Sequence, residues 1–209
     1  MNNHFTKVLS NIDELKVDQV FEAMEFLGLE TRNRYKILTN AETLFAYAAE
    51  EKNMLGHVAR QLFGHWRTFN VFFFDKDKAP LFRAHHPFRF FFERIEIYDQ
   101  NDNLIGSIEQ NFSLFRKHFT IYDQNDETLF EMKSPIFKIW TFPIYRGGEQ
   151  LALIEKVWST LLQETFTDKD IFMLKFLKGQ SFSIDEKIIL LVATIFIDLL
   201  YFEEKASLA

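Results

Sequence analysis

The sequence contains no cysteine. That absence excludes disulfides, thiolate metal sites, cysteine nucleophiles and palmitoyl anchors, and it suits a reducing compartment. Positive charge is also in short supply. The chain has 24 Lys and Arg against 30 Asp and Glu, a formal net charge of -6, which is the wrong sign for replacing phosphate counterions, so no nucleic-acid partner is expected. The N-terminus, MNNHFTKVLSNIDELK, lacks a basic region followed by an apolar one. No secretory signal is read there, and the chain is expected to face the cytoplasm. No glycine-rich phosphate loop and no elbow around a nucleophilic serine is visible. His57, His65, His85, His86 and His118 lie in different segments, and adjacent His85 and His86 on a strand would point to opposite faces. Neither a metal nor a hydrolase site is expected, and the chain is read as not an enzyme.

What the sequence has in excess is phenylalanine, 26 residues of 209. Phe favours strands and brings a large apolar body with no polar handle, so this content points to a thick, dry core built largely from sheet. The length suffices for one large single-core domain.

From Phe5 to Leu29, apolar residues at Val8, Leu9, Ile12, Leu15, Val20, Phe21, Met24 and Leu27 follow an irregular three-and-four spacing. The spacing predicts an amphipathic helix or helix pair, so residues 1–30 are read as an N-terminal helical segment packed on the main domain, residues 31–209. Asp13, Glu14, Asp18 and Glu22 make its polar face too acidic for a membrane-surface helix.

After Tyr35 the pattern changes to short apolar runs separated by turn residues. YKILTNAETLFAYAA, FNVFFFDKDKAPLFRA, IEIYDQNDNLIGSIEQ, FTIYDQNDETLFEMK and FPIYRGGEQLALIEK each read as strand, polar turn, strand. IYDQND occurs twice, at Ile97–Asp102 and Ile121–Asp126, with Asn, Asp and Gly where turns need left-handed backbone. With a looser sixth pair around Leu161–Phe176 the count reaches about a dozen strands, more than a twisted open sheet holds without closing. The fold class expected is mainly β: a closed antiparallel barrel of about twelve strands. Such a barrel is too wide for its own side chains to fill, so something must occupy it.

The end of the chain, SFSIDEKIILLVATIFIDLLYFEE, supplies the candidate. Ser183 followed by Glu186 reads as a capping box, opening a helix over 184–204 of roughly 30 Å. Ile188, Leu191, Ile195, Asp198 and Phe202 lie along this central helix, and from Ile188 to Phe202 only Thr194 and Asp198 interrupt an apolar surface on all sides. Membrane spanning is the competing solution. Eleven Leu, Ile, Val and Phe residues contribute about 5 kcal/mol to insertion, Asp198 costs up to about 3, and the acids Glu203 and Glu204 follow. Burial within the barrel is therefore favoured over a tail anchor.

These residues resemble the phospholipid scramblases, whose fold is shared with the Tubby C-terminal domain. The resemblance runs through IDELKVDQVFEAMEFLGLETRNRYKIL (Ile12–Leu38), YAAEE (Tyr47–Glu51), ERIEIYD (Glu93–Asp99), ETFTDKDIF (Glu164–Phe172) and FIDLLYFEE (Phe196–Glu204). It implies a twelve-stranded barrel around a C-terminal helix, a phospholipid membrane as partner, and calcium-switched movement of lipid between leaflets. The alternative within the same superfamily is a soluble Tubby-like module that binds lipid headgroups or proteins without moving lipid. A monomer is expected, held peripherally or by a tail anchor at the cytoplasmic membrane face.

The resemblance places a calcium segment at Asp168–Gly179, with Asp168, Asp170 and Phe172 at its first, third and fifth positions. Only the two aspartates match a calcium loop. Met173 takes the turn-glycine place and Gly179 that of the bidentate acid, while Lys175 and Lys178 add repulsion, so any affinity is expected around millimolar or weaker. The plainer reading makes Thr167–Asp170 a turn before a strand, Ile171–Phe176. Where animal family members carry palmitoylated cysteines, this chain reads HHPFRFFFERIEI, His85–Ile97. Phe88, Phe90 and Phe92 form either a half-buried strand face or an exposed patch at a lipid interface, and their alternation favours the strand. The family's proline-rich extension and basic import segment are absent, so its signalling and nuclear roles are not carried over. Asp198 is costly in an apolar helix unless it is paired or hydrogen-bonded. Thr194, Tyr201 or an inward Lys or Arg are the candidate partners, and a structural role near the barrel mouth is favoured over a polar step for a lipid headgroup.

Overall fold

The computed structural model describes residues 3–20, 31–51, 68–89, 91–113, 116–135, 137–138, 140–157 and 171–202. Twelve antiparallel strands close into a barrel: β1 (Glu14–Gln19), β2 (Thr31–Thr39), β3 (Leu44–Glu51), β4 (Phe69–Asp75), β5 (Pro80–His86), β6 (Arg94–Asp99), β7 (Leu104–Asn111), β8 (Arg116–Asp123), β9 (Thr128–Pro135), β10 (Thr141–Arg146), β11 (Glu149–Val157) and β12 (Ile171–Phe176). Each strand pairs with its sequence neighbours, and the ring closes where β1 pairs with β12, Val17 opposite Phe172. Closure leaves no strand edge to recruit another chain.

The five hairpins of the sequence reading are the five hairpins of the barrel. The repeated IYDQND owes its repetition to turn chemistry. Asp99 Oδ1 accepts from the backbone N–H of Asn101 and Asn103 at 2.8 and 2.9 Å, and Asp123 Oδ1 accepts from Asn125 and Glu127 at 2.8 and 2.9 Å. In each turn the second aspartate, Asp102 (φ 61°) or Asp126 (φ 60°), takes left-handed backbone, which Asp tolerates better than bulkier residues. Asp75 builds the β4–β5 turn in the same way, accepting from Asp77 and Ala79.

The helical expectation for Phe5–Leu29 fails after Ser10. Helix α1 spans Asn3–Ser10, and Glu14–Gln19 is a barrel strand. Leu15 and Val17 are buried while Glu14, Lys16 and Asp18 are not. That is a period of two, disguised as helical spacing when the apolar positions on either side of Asp13 are read as one run. Residues 21–30 lie outside the described residues. Of the sixth pair, Ile171–Phe176 forms β12, whose partners are β11 and β1; residues 161–170 lie outside the described residues.

Helix α2 (Ile184–Tyr201) fills the lumen. Both halves of its capping box form, with Ser183 N–H donating to the Glu186 carboxylate at 2.8 Å and Glu186 N–H donating to Ser183 Oγ at 3.1 Å. Every residue from Lys187 to Leu199 is buried, polar ones included. Each fully buried large apolar side chain contributes roughly 1.5–3 kcal/mol, so the helix and the wall hold each other in place. Among the described residues no helix is long and apolar enough to cross a membrane. Gly106 on β7 makes room for the helix: a Cβ there would lie 2.5 Å from Ile189 Cδ1 and 2.5 Å from the Tyr122 carbonyl oxygen.

Helix α1 packs at the end of the barrel where α2 enters. Phe5 stacks on Phe45 at 4.7 Å, and Leu9 has no exposed surface. Buried Lys187 ties the two helices together, donating to the carbonyls of Leu9, Ser10 and Ile12 at 3.0, 3.1 and 2.7 Å, with its ammonium also 4.8 Å from the Phe176 ring.

Candidate functional site

Because the strands alternate in direction, their connections alternate between two ends. The β2–β3, β4–β5, β6–β7, β8–β9 and β10–β11 turns lie where α2 enters, and all are tight. The β5–β6, β7–β8 and β9–β10 connections lie at the opposite end, where α2 stops at Phe202. The two ends differ chemically, and the second carries the candidate site.

Polar side chains concentrate on the inward face of the wall near that second end. Lys117 shares its strand face with buried Phe119 and Ile121, and Lys156 shares its face with buried Ala152 and Ile154. Both lysines therefore point towards the lumen, where their ammoniums meet aromatic faces. Lys117 Nζ lies 4.2 Å from the Tyr201 ring centre and Lys156 Nζ 3.9 Å from that of Phe202. Trp140 stacks on Phe202 at 5.4 Å, and Lys156 Nζ lies 5.3 Å from the Trp140 ring centre as well. The last turn of α2 contains no basic residue, so the wall supplies the cations that the negative end of the helix dipole favours. Burial pushes the Tyr201 phenol up to about 12, which keeps it neutral throughout the physiological range, and its oxygen accepts from Gln110 Nε2 at 3.1 Å.

Deeper in the lumen, fully buried Asp198 accepts a hydrogen bond from the Tyr35 hydroxyl of β2 at 2.8 Å. The helical neighbours proposed from sequence are engaged elsewhere. Thr194 Oγ1 donates to the Leu190 carbonyl at 3.0 Å, and Tyr201 is held by Gln110. Nearby His86 lies 2.6 Å from the Glu93 carboxylate and stacks on Phe69 at 4.6 Å. Ile188, Leu191 and Ile195 are buried core residues, as is Phe202 at the mouth.

The outer rim of this end is aromatic. Phe88 and Phe92 are exposed in the β5–β6 connection, so they form no strand face. Phe90 lies outside the described residues. Phe92 has left-handed backbone (φ 56°), unusual for an aromatic residue, and its ring meets that of Phe112 edge-on at 6.4 Å. The alternation of Phe88, Phe90 and Phe92 misled because Pro87 precedes it: β5 ends at His86, and the chain turns before re-entering the sheet at Arg94.

At the opposite end a pocket of about 240 Å³ lies among the tight turns, between Leu81, Asp99, Asn103, Gln124 and Asp185. Burial, with Asp99 and Glu186 nearby, holds the Asp185 carboxyl above its usual range. An acidic lining of this kind repels phosphate.

A family model described as Scramblase matches residues 1–204. The chain belongs to the scramblase family. Among its relatives, human phospholipid scramblase 1 is 27% identical over 95% of this chain and 66% of its own length. Human phospholipid scramblase 2 is 27% identical over 93% and 69%. A phospholipid scramblase family protein of Schizosaccharomyces pombe is 26% identical over 84% and 49%. The chain thus spans about half to two-thirds of the length of these relatives. An X-ray structure of an Arabidopsis thaliana protein aligns over 89% of this chain and 91% of its own, with a TM-score of 0.46 at 12% identity.

The calcium segment that scramblase resemblance implies fits poorly where it is described. Phe172 and Met173 are ladder residues of β12, paired on one side with Val17 and Lys16 and on the other with Lys156 and Glu155. Phe172 is buried with its ring 5.5 Å from Phe202. A residue paired on both sides in an extended strand cannot take the fifth place of a tightly wound loop. Asp168 and Asp170 lie outside the described residues. Among the described residues no three His, Cys, Asp or Glu side chains gather to hold a metal.

Sequence reasoning missed Lys117, Lys156, Lys187 and the exposed Phe91, Phe112 and Phe137. A signal for the first two was present: each continues the period-two apolar face of its strand, which marks a charge facing the lumen. Phe112 and Phe137 follow the last residues of hairpins, where an apolar side chain has no sheet to cover.

Proposed function

We propose that this chain is a phospholipid scramblase-like protein that handles lipid at the cytoplasmic face of a membrane. Membership of the scramblase family across residues 1–204 carries the reading. The barrel adds a constraint on how any lipid moves. Ile188, Ile189, Leu190, Leu191, Ala193 and Ile197 of α2 have no exposed surface at all, so among the described residues neither a wet channel nor a vacant apolar groove runs beside this stretch of the helix. Lipid that crosses with this protein's help passes along its outer surface while α2 stays in place. The second reading is a binding or scaffold module of the Tubby-like kind that engages lipid without moving it, and the same filled lumen favours it.

Flotation with liposomes followed by a dithionite leaflet assay separates the two. Flotation with loss of protected fluorescent lipid supports translocation, flotation without that loss supports the binding module, and failure to float on any vesicle sinks both. Labelling of Ile188–Phe202 by a lipid-soluble photoprobe would overturn the sealed-barrel mechanism specifically.

A further inference from the structure

Seven large hydrophobic side chains are exposed among the described residues, and six of them lie at one end of the barrel: Phe88, Phe91, Phe92, Phe112, Phe137 and Val157. Phe137 and Phe91 are 83% and 81% exposed, Phe112 72%. These are near-complete exposures of the side chain with most to lose in water. They come from three neighbouring connections and from the last residue of β11, so they ring the mouth rather than line a single groove. Exposed apolar surface gathered in this way marks a docking face.

Charge selects the partner. Between the phenylalanines the connections carry Arg89, 4.0 Å from Glu109 of β7, and Lys138, and their one described acid, Glu93, is bonded to His86. The tight turns at the opposite end carry the five acids Glu42, Asp77, Asp102, Asp126 and Glu127 against the two lysines Lys76 and Lys78. A chain of net charge -6 is repelled by an anionic surface unless its charge is polarised, and among the described connections and turns the acids gather at the turn end, although Asp126 reaches Arg94 beside the phenylalanine connection at 3.1 Å. An anionic lipid surface attracts the one end and repels the other.

We propose that the long-connection end is the membrane-docking face, and that Phe88, Phe91, Phe92, Phe112 and Phe137 enter the interface of an anionic bilayer while Arg89 and Lys138 meet its headgroups. This rests on the lipid-handling reading above and deepens it by assigning the face and the lipid charge. The barrel then stands with α2 pointing its C-terminal end at the bilayer, sheathed by the wall, and the cysteine-free chain attaches without acyl chains.

The test is flotation on phosphatidylcholine vesicles with and without phosphatidylserine. The wild-type chain floats on the anionic vesicles. Phe91→Ser/Phe112→Ser/Phe137→Ser, with unchanged circular dichroism and melting temperature, weakens that binding by about tenfold or more. Arg89→Glu/Lys138→Glu weakens it only where phosphatidylserine is present, each basic residue near an anionic surface counting for about fivefold. The natural absence of cysteine allows a second measurement that does not depend on those variants. A polarity-sensitive dye at Phe112→Cys shifts to the blue on vesicles, and the same dye at Asp102→Cys does not. A wild-type chain that floats while the triple-serine variant floats equally well, or a dye that shifts at position 102 and not 112, overturns the docking face and leaves the lipid reading standing. Failure of the wild type to bind any vesicle ends both. Loss of self-association in the triple variant, with vesicle binding intact, makes this face a contact between copies and overturns the proposal.

Discussion

The Tyr35 hydroxyl donates to Asp198 at 2.8 Å, joining the barrel wall to its central helix across 163 residues of sequence. Both groups are buried, Tyr35 at 1% exposure and Asp198 at 0%, so the bond forms in low dielectric where a carboxylate is costly to leave under-bonded. Tyr35→Phe should destabilise the fold by about 1.5–3 kcal/mol, the range for a hydrogen bond to a charged group. Urea unfolding of Tyr35→Phe, Asp198→Leu and the double variant should give a coupling energy well above the error. Strict additivity would show that the two groups act independently.

Gly106 is where wall and helix come closest. An alanine methyl would press on Ile189 Cδ1 and on the Tyr122 carbonyl, each at 2.5 Å. The isoleucine tip can rotate away and the backbone carbonyl cannot, so Gly106→Ala should cost roughly 1–3 kcal/mol as an overpacked core. Ile189→Val should rescue only part of the loss in melting temperature. Full rescue would mean that the β8 backbone yields.

Lys187 gives one ammonium to the carbonyls of Leu9, Ser10 and Ile12 at and just beyond the end of α1, where Leu9 also accepts from the Ile12 N–H at 3.3 Å. Burial pulls its pKa below the ordinary lysine value, with Asp13 opposing that shift. Lys187→Met keeps the apolar stem but leaves three acceptors without this donor. Hydrogen exchange should accelerate over Asn3–Ser10 in this variant while β6–β9 stay protected. Unchanged exchange in α1 would show that Phe5 and Leu9 suffice to hold it.

Tyr201 titrates late because of its burial. Its pKa is raised from 10 to about 12 in the folded chain, so the native state holds a proton that the unfolded state releases. The stability this contributes is fully present below pH 10 and is lost as pH rises from there towards 12. Absorbance at the phenolate band should show one component of the six tyrosines ionising near pH 12, and Tyr201→Phe should remove it. A full complement of tyrosines titrating together would contradict the buried setting.

Calorimetric titration of the full chain should detect no calcium affinity tighter than about millimolar. Met173 and Phe172 are committed to strand pairing, and Gly179 offers no carboxylate. A micromolar affinity that vanishes in Asp170→Ala would reveal a built site and reverse this expectation.

The hairpins, the barrel and the helix that fills it were legible because each rests on short-range patterning. Alternating apolar residues, Asx turns at Asp75, Asp99 and Asp123, and the Ser183–Glu186 capping box all act within a few residues. β1 was misread because six residues hold too few alternations to outweigh a helical spacing running across Asp13. Its strand identity comes from β2 and β12, partners distant in the chain. The site was less legible for a related reason. That Phe88, Phe112 and Phe137 share one end follows from the parity of the connections, and no local window contains that information. Tyr35 as the partner of Asp198 is likewise a product of closure, which brings β2 against the last turns of α2.

The closing pair of strands has a consequence for synthesis. β1 leaves the ribosome before the other eleven barrel strands and β12 after them, and α2 emerges after both. Until then ten wall strands can form hairpins but have no interior to face. The nascent chain therefore carries an apolar sheet surface with nothing to cover it for most of its elongation. Its core can assemble only when the final helix arrives, a high-contact-order step that belongs to the slow class of folding reactions.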